Sequence, residues 1–323
     1  MDQARNASGG TQGSAPRAVV LLAACNGAEY LVQQVDSILQ QRGVQVSIVC
    51  SVDFSMDATL ELLTAYARRD SRVAILPVHE RFGAAAPNFF RLMGDSDLTQ
   101  VDIVAYSDQD DIWLPEKLLR AWQCMQVSGA AGYSSNCMAF WADGRATLLD
   151  KAQPQRKWDH FFEAAGPGCT YVISATLASA LQQRIRTCNV QLAGVDYHDW
   201  LTYAFARHNG YIWHIDKQAH IHYRQHAANQ LGANVGWRSF RRRVLALHHG
   251  YGHDQAIKVA RAIGAQNHPV VQRGLLGGRW GYLWLALQAR GCRRRLGDQW
   301  LFVVANIWMA MRNPRSGKTP CHD

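Results

Sequence analysis

The sequence lacks the features that mark several broad classes of protein. Its 323 residues contain 8 Cys but no Cys-x-x-Cys pair and no regular Cys spacing, which argues against a disulfide scaffold and favours a reduced, cytoplasmic setting. It has no low-complexity tract and only 9 Pro, which excludes disordered and Pro-rich classes for the chain as a whole. Residues 1–16 are polar and small, unlike a secretory signal, and predict a short disordered lead-in.

Common signatures of nucleotide binding and hydrolysis are missing as well. No Gly-x-Gly-x-x-Gly follows the first apolar run, and no Gly-x-x-x-x-Gly-Lys-Ser/Thr occurs, so neither familiar phosphate cradle is present. There is no Ser-His-Asp or paired-Glu pattern that would indicate a covalent enzyme intermediate. A phosphate ligand would need another counter-charge, and a metal held by acidic residues could supply it.

Charge is divided unequally along the chain. Residues 1–223 carry 18 Lys and Arg against 22 Asp and Glu, whereas residues 224–323 carry 16 against 3. Such a basic end indicates an anionic partner. No helix-turn-helix, zinc finger or RNP-like segment accompanies the charge, so we expect no nucleic-acid partner. The anionic face of a membrane is the remaining candidate.

Two apolar stretches lie in the basic end, at residues 280–289 and 300–311, with an arginine cluster at 290–295 between them. Each is shorter than the ~20 residues that span a bilayer. Apolar runs with Trp and flanking Arg are typical of helices that lie in a membrane interface. The alternative is a helical pair packed on the rest of the protein, with its Arg facing water.

Apolar runs alternate with helix-period segments through the first half. The runs lie at residues 18–23, 44–52, 73–76 and 101–106, and helical patterns follow residue 27, cover 57–69 and open at Pro115. Strands that alternate with crossover helices predict an α/β fold with a Rossmann-like, mostly parallel sheet. Ligands of such sheets bind outside the carboxyl ends of the strands.

Acidic residues follow the fourth of these strands. Asp108, Asp110 and Asp111 come directly after the apolar run, and carboxylates at this spacing can reach one Mg²⁺ or Mn²⁺ that bridges substrate phosphates. The alternative is that they cap the helix near Pro115.

Two further groups could carry chemistry. Asp199 stands among bulky neighbours, where partial burial would raise its pKa and suit it to act as a general base. The alternative is that it caps a helix over 200–208.

A polar cluster comprises Arg224, His226, Asn229 and Gly232. It could clamp a diphosphate or form a solvated loop.

Five segments carry a family resemblance. They are ACNGAEYLVQQVDSILQQ (24–41), SVDFSMDATLELLTAYARRD (51–70), YSDQDDIWLPEKL (106–118), HDWL (198–201) and YRQHAANQLG (223–232). Together they resemble glycosyltransferase family 2, and within it the bacterial rhamnosyltransferase-like enzymes that build surface polysaccharide. The resemblance covers about residues 18–235. It implies a GT-A fold, a nucleotide-sugar donor, a divalent metal (Mn²⁺ or Mg²⁺) and inversion at the anomeric carbon.

The resemblance also implies roles for individual residues. Asp108 and Asp110 match the family's metal-binding Asp-x-Asp, which Asp111 continues, and Asp199 matches the base that acts on the acceptor hydroxyl. The nucleotide-sugar-binding set is Ala24, Asn26, Glu29, Asp53, Asp108, Arg224 and His226, with Tyr30 in the first segment. The acceptor side is Gly168, Cys169, Thr170, His198 and Trp200, and Gly83 and Asn88 stand where the family tends to have Gly and Asn.

These observations predict the organisation and the reaction. Residues 17–235 form a GT-A catalytic domain and residues 236–323 a basic, amphipathic helical tail. The expected protein is an inverting glycosyltransferase, peripheral on the inner face of a bacterial membrane. It would move a sugar, by resemblance rhamnose, from a nucleoside-diphosphate donor to a surface polysaccharide or lipid-linked acceptor.

The chain departs from the family pattern after the second strand. Val52 and Phe54 stand where the family has Asp and Gly, and Val52 removes a carboxylate that often meets the pyrimidine base. The sequence leaves two expectations: Asp53 substitutes for that carboxylate, or recognition of the base is weakened. The alternative function is a catalytically silent relative that binds a glycan or partner in the same crevice. Retention of Asp108, Asp110 and Asp199 favours the enzyme.

Overall fold

A mixed sheet forms the centre of the protein in the computed structural model, which describes residues 14–78, 81–226 and 250–312. Within these residues its strands are β1 (Arg17–Ala24), β2 (Gln45–Val52), β3 (Val73–Ile75), β4 (Ile103–Ser107), β5 (Ile112–Trp113), β6 (Gly132–Trp141), β7 (Ala146–Leu149), β8 (Val172–Ser174) and β9 (Trp213–Gln225). Their order is β3-β2-β1-β4-β8-β6-β9-β5, and β7 pairs with β6.

Helices cover both faces of the sheet. They are α1 (Ala28–Leu39), α2 (Thr59–Arg69), α3 (Ala85–Asp95), α4 (Lys117–Ser128), α5 (Ala175–Thr187), α6 (Asn189–Leu192), α7 (His198–His208), α8 (Tyr251–Ala262), α9 (Gly278–Leu287), α10 (Ala289–Cys292) and α11 (Leu296–Arg312). Two 3₁₀ turns (Asp159–Phe161 and Gly168–Thr170) and a π-helical turn (Val270–Leu275) complete the elements. The predicted helix at Pro115 starts at Lys117, and the predicted helix at residue 200 starts at His198.

The predicted α/β pattern is confirmed in the first half of the sheet. Strands β3, β2, β1 and β4 are all parallel, and α1 buries Leu31, Val35 and Ile38 at helical spacing. The register pairs Ala24 with Val52 and Leu22 with Ser107. The polar residues that follow these three strands therefore lie at one edge of the sheet, as the sequence predicted.

The remaining strands change direction. β8 is antiparallel to both β4 and β6, whereas β6 and the long β9 are parallel. β9 returns to the same region of the molecule, because Ile112 of the short β5 pairs with His222 of β9. The chain segment just after the acidic residues is thus hydrogen-bonded to the strand that leads to Arg224 and His226.

One hydrophobic core joins the second half of the chain to the first. Tyr203 of α7, Val259 of α8, Leu285 of α9 and Ala310 of α11 belong to the same buried cluster as Leu21 of β1. A second cluster on the other sheet face includes Leu31 and Leu118. The division predicted at residues 235 and 236 remains a prediction, and residues 227–249 lie outside the described part of the chain.

Arginines of the predicted membrane-facing cluster point into the protein. The Arg294 side chain is only 4% exposed; it lies 3.4 Å from Glu163 and 3.9 Å from the fully buried Asp159, and it donates a hydrogen bond to the Ala164 carbonyl oxygen. Arg293 donates to the Phe162 carbonyl oxygen. The sequence predicted either interfacial helices or a packed helical pair with its Arg facing water, and neither expectation included buried arginines. Their carboxylate partners lie more than a hundred residues away and cannot be inferred from the local sequence.

The outer faces of α9 and α11 are strongly apolar. Exposed side chains here are Trp280, Leu287, Leu296, Trp300, Val304 and Met311, with Trp280 77% and Trp300 72% exposed. The two helices pack against each other. Among the described residues, no helix combines the length and apolar character needed to cross a membrane.

Candidate active site

A cleft of about 1300 Å³ opens at the carboxyl ends of β1, β2 and β4. Asn26, Asp53, Asp108, Asp110 and Asp199 all line it. The position agrees with the general rule for ligand sites in open α/β sheets. Residues from four separate chain segments therefore meet around one space.

The acidic cluster begins where β4 leaves the core. Asp108 and Asp110 line the cleft, while Asp111 lies behind them and is fully buried. Loss of water around the carboxyl, followed by repulsion from Asp110 and Asp199, raises the pKa of Asp108 to about 7. Burial and the neighbouring charges of Asp110 and Asp108 also raise the pKa of Asp111. Three carboxyl groups are thus held close together at an electrostatic cost.

The donor atoms of this cluster fit a divalent cation. The Asp108 carboxylate accepts no hydrogen bond from any described residue, and one Asp111 oxygen is buried without a hydrogen-bond partner. Carboxylate oxygens are the ligands that Mg²⁺ and Mn²⁺ prefer. A bound cation would offset the repulsion that raises these pKa values.

A buried lysine behind the acids was missed by sequence reasoning. Lys117, at the start of α4, is 2% exposed, and its Nζ lies 3.4 Å from the centre of the Trp113 ring. Burial lowers its pKa to about 7, although Cys169 and Asp111 act in the opposite direction. In the sequence, Lys117 is simply the neighbour of Leu118, a residue of the buried face of the helix. A lysine at such a place is normally expected at the edge of the buried face, with its ammonium in water.

Arg224 and His226 reach the acids from the end of β9. The Arg224 backbone N–H donates to Asp111, and its guanidinium donates to the Asp110 carbonyl oxygen and to Gln33. The guanidinium also lies between the Tyr30 and Phe140 rings, 4.6 and 4.7 Å from their centres. His226 Nε2 lies 2.7 Å from an Asp110 carboxylate oxygen and lines the cleft, whereas Arg224 does not.

Asp53 holds a loop in place. Its carboxylate accepts hydrogen bonds from the backbone N–H groups of Phe54, Phe82 and Gly83 at 2.7–2.8 Å. Gly83 has φ +73, a conformation that favours glycine. The expected substitution of Asp53 for the missing base-contacting carboxylate stays a prediction, but in this structure both of its oxygens already have partners.

Asn26 connects the two loops that follow β1 and β2. Its side-chain oxygen accepts a hydrogen bond from Met56 N, and its backbone N–H donates to Ser55. Asn26 has φ 47, which Asn tolerates better than most residues. Val52 is buried in the core, whereas Phe54 is 60% exposed at the cleft.

Asp199 lines the cleft from the first turn of α7. One carboxylate oxygen accepts a hydrogen bond from the Trp200 N–H at 2.7 Å. Burial raises the pKa of Asp199 to about 6. Hydrogen bonds from backbone N–H groups and the charge of Lys151 act in the opposite direction and limit the rise. A carboxylate with a pKa close to neutrality, facing a cleft, is suited to accept a proton.

Close packing fixes the residues around Asp199. The His198 ring stacks on Phe89 with 3.8 Å between ring centres, and burial lowers its pKa to about 3, which keeps it neutral. A Cβ on Gly168 would lie 2.5 Å from His198 Nε2 and 3.2 Å from the Asp199 Cβ. Only glycine fits at position 168 without displacing the proposed base.

The comparisons with known proteins agree on one family. A model described as "Glycosyl transferase family 2" matches residues 19–161. The chain is 37% identical over 291 residues to "dTDP-rhamnosyl transferase RfbG" of Shigella flexneri, which covers 89% of this chain and 100% of the relative. The chain belongs to glycosyltransferase family 2. It is 28% identical to "Putative teichuronic acid biosynthesis glycosyltransferase TuaG" of Bacillus subtilis, over 42% of this chain and 52% of that one.

A solved structure of similar fold supports the architecture of this family 2 glycosyltransferase. TarS of S. aureus (residues 1–349, in complex with UDP) superposes with a TM-score of 0.52 at 12% identity, over 95% of this chain and 94% of that chain. The predicted GT-A fold is confirmed. So is the prediction of a rhamnosyltransferase-like, nucleotide-sugar-dependent enzyme.

The cleft of this glycosyltransferase gathers most of the site residues predicted from sequence. Those that line it are Ala24, Asn26, Glu29, Tyr30, Asp53, Gly83, Asn88, Asp108, Asp110, Gly168, His198, Asp199, Trp200 and His226. Cys169 and Thr170, predicted on the acceptor side, do not line it. The Cys169 sulfur lies within 4.8 Å of Asp108 and Asp111, and Thr170 is buried and donates to the Pro167 carbonyl oxygen. Asn229 and Gly232 fall outside the described residues.

Proposed function

We propose that this family 2 enzyme transfers rhamnose from dTDP-rhamnose, with inversion, to a hydroxyl group of a polysaccharide or lipid-linked acceptor. The observation that carries the proposal is a single cleft that is lined by Asp108, Asp110 and Asp199. The identity of the donor is supported by the Shigella flexneri relative, whose whole length matches this chain.

Asp199 acts as the general base in this reaction. It takes the proton of the acceptor hydroxyl while the hydroxyl oxygen forms a bond to the anomeric carbon of rhamnose. The bond from that carbon to the diphosphate oxygen breaks on the opposite face, and dTDP leaves. Attack and departure on opposite faces invert the anomeric configuration, and no covalent enzyme intermediate is required.

Asp108 and Asp110 would hold a divalent metal, Mg²⁺ or Mn²⁺, in the proposed enzyme. A metal bound there would supply positive charge to offset that of the leaving diphosphate. Asp111 and the buried Lys117 support these two carboxylates from behind, and His226 orients Asp110 through their 2.7 Å contact. Arg224 fixes the backbone at Asp110 through its hydrogen bond to the carbonyl oxygen.

Thermal-shift measurements with dTDP, UDP and GDP, each with and without Mn²⁺, test the donor site. A nucleotide at ~100 times its Kd adds about 2.7 kcal/mol of stability, or several degrees in Tm. We expect the largest shift with dTDP and Mn²⁺, its loss in Asp110→Asn, and its retention in Asp143→Asn, which changes an exposed acid outside the cleft.

Two results would contradict the proposal. A shift with UDP or GDP alone would overturn the choice of dTDP. The absence of a shift with every nucleotide would favour the second candidate, a silent relative that binds a glycan or partner. The observation behind that candidate is Phe54, a bulky side chain exposed at the cleft where the family has Gly.

We also infer that α9 and α11 lie in the interface of the inner face of the cell membrane, which places the enzyme as a peripheral protein on the cytoplasmic side. Exposed Trp280 and Trp300 supply apolar surface, and the exposed arginines Arg273, Arg279, Arg290 and Arg312 flank it. Tryptophan and arginine in this combination are typical of interfacial helices.

Flotation with phosphatidylglycerol-containing vesicles tests this inference. The double change Trp280→Ser and Trp300→Ser is expected to weaken vesicle binding by at least about tenfold, because both side chains lose apolar area that the interface would bury. Val127→Ser, which changes an exposed residue of α4, is the matched control. Equal binding by the double variant and the control would reject the inference.

A further inference from the structure

The cleft also has a second end, lined by charged residues of both signs. This acceptor end is lined by Asp150 and Lys151, which follow β7, by Glu163, by residues 293–295, and by Asp298 and Leu301 of α11. Neither the family resemblance nor the reaction described above assigns a role to these residues. Their position on the Asp199 side of the cleft makes them neighbours of the acceptor rather than of the donor nucleotide.

Most charges at the acceptor end already have partners within the protein. Glu163 pairs with Arg293 and Arg294 at 3.8 and 3.4 Å, and Arg295 lies 4.0 Å from Asp150. Lys151 differs, because within the described residues its ammonium makes neither a hydrogen bond nor an ion pair closer than 4 Å. Burial, Arg295 and Arg294 lower the pKa of Lys151, whereas Cys137 and Asp298 act in the opposite direction.

The backbone of Lys151 is firmly positioned. Its N–H and that of Ala152 both donate to the side-chain oxygen of Asn136, at 2.6 and 3.1 Å, and Asn136 is 3% exposed. The Lys151 stem packs close to Gly166, two residues before Gly168, which contacts the Asp199 side chain. The ammonium is also near enough to Asp199 for its charge to affect that carboxyl. The backbone of Lys151 is therefore held in place close to the segment that contacts Asp199.

We propose that Lys151 binds an anionic group of the acceptor, a phosphate or a carboxylate, close to the hydroxyl that Asp199 deprotonates. The proposal rests on the glycosyltransferase function proposed above and names the chemical class of its acceptor. A bound anion gives the Lys151 ammonium the partner that the described residues do not provide. Binding of the anion by Lys151 also requires a certain distance between the anionic group and the reacting hydroxyl of the acceptor. Acceptors with another distance between these two groups would be used poorly.

Calorimetric titration of three small probes tests the proposal. With the donor site saturated by dTDP and Mn²⁺, glucose 1-phosphate, glucuronate and glucose are titrated separately. At least one anionic probe is expected to bind about tenfold or more tightly than glucose, because a hydrogen bond to a charged group stabilises a complex by that much. Tight binding of the phosphate alone identifies a phosphorylated acceptor, and tight binding of glucuronate alone identifies an acidic sugar.

Variants separate a binding role from a structural one. Lys151→Met is expected to abolish the preference for the anionic probe while dTDP binding stays unchanged, and Lys151→Arg is expected to retain the preference. Lys157→Met, which changes an exposed lysine outside the cleft, is the control. Equal binding of glucose and both anionic probes by the unaltered protein, or an unchanged preference in Lys151→Met, overturns the proposal.

The donor hypothesis is checked independently in the same series. If dTDP itself does not bind, the proposed donor is wrong, and the three probes are titrated without nucleotide. A preference for the anionic probe that depends on Lys151 would then still support the site.

Discussion

Asp199→Asn is expected to lower kcat by about 10²–10⁴-fold, the usual contribution of a general base. The asparagine side chain has the same shape and can still accept the hydrogen bond from Trp200 N–H, but it cannot take a proton from the acceptor. Steady-state release of dTDP from dTDP-rhamnose in the presence of acceptor measures the loss. The dTDP-induced thermal shift should persist, because the proposed metal ligands Asp108 and Asp110 are unchanged.

The pH dependence of the unaltered enzyme follows from the same residue. Burial raises the pKa of Asp199 to about 6, so the carboxyl is protonated below this pH and ionised above it. Because only the ionised form accepts a proton, kcat should rise about tenfold per pH unit below pH 6 and level off above it. Asp254→Asn, a change at an exposed position of α8, should keep both the rate and this profile. Substantial activity in Asp199→Asn would assign the base to another residue.

Arg294→Met is expected to destabilise the whole protein by about 3–5 kcal/mol, because removing one partner leaves buried carboxylates uncompensated. Glu163 and Asp159 both lie within 4 Å of the Arg294 guanidinium, and the Asp159 side chain is fully buried. At roughly 2–4 °C per kcal/mol, the fall in Tm should be about 10 °C. Differential scanning calorimetry of the full-length chain measures it.

Arg290→Met provides the matched control for this prediction. Arg290 lies four residues earlier and is exposed, so its replacement should change stability by less than about 0.5 kcal/mol. Equal Tm values for the two variants would mean that the Arg294 contacts contribute little to folding. Arg207, 3.4 Å from Asp159, would then be sufficient to compensate that carboxylate.

The parts of the site that could be predicted from sequence are those set by strand ends. Apolar runs such as residues 18–23 identify the strands, and the rule for parallel sheets then brings Asn26, Asp53 and Asp108 to one edge. The register confirms this arrangement, since Ala24 pairs with Val52 and Leu22 with Ser107. Local pattern and a general topological rule were enough here.

The parts that could not be predicted depend on long-range contacts between irregular segments. Cys169 is adjacent to Gly168 in sequence, but a 3₁₀ turn directs one residue to the cleft and the other toward the acids. Lys117 and Arg294 are charged residues that the structure buries, against the usual preference of Lys and Arg for the surface. The charge of Asp111 near Lys117 and the ion pair between Arg294 and Glu163 are determined by the fold and cannot be inferred from the local sequence.

The contacts of Arg293 and Arg294 have a consequence for the order in which the protein is made. Glu163 leaves the ribosome 131 residues before Arg294, an interval of roughly 10 s at ordinary rates of translation. During that interval the buried positions of Asp159 and Glu163 lack this cation, so residues 156–170 cannot pack as they do in the finished chain. Gly168, which shapes the pocket around Asp199, belongs to this segment. The acceptor side of the enzyme therefore reaches its final packing only after Arg294 has left the ribosome.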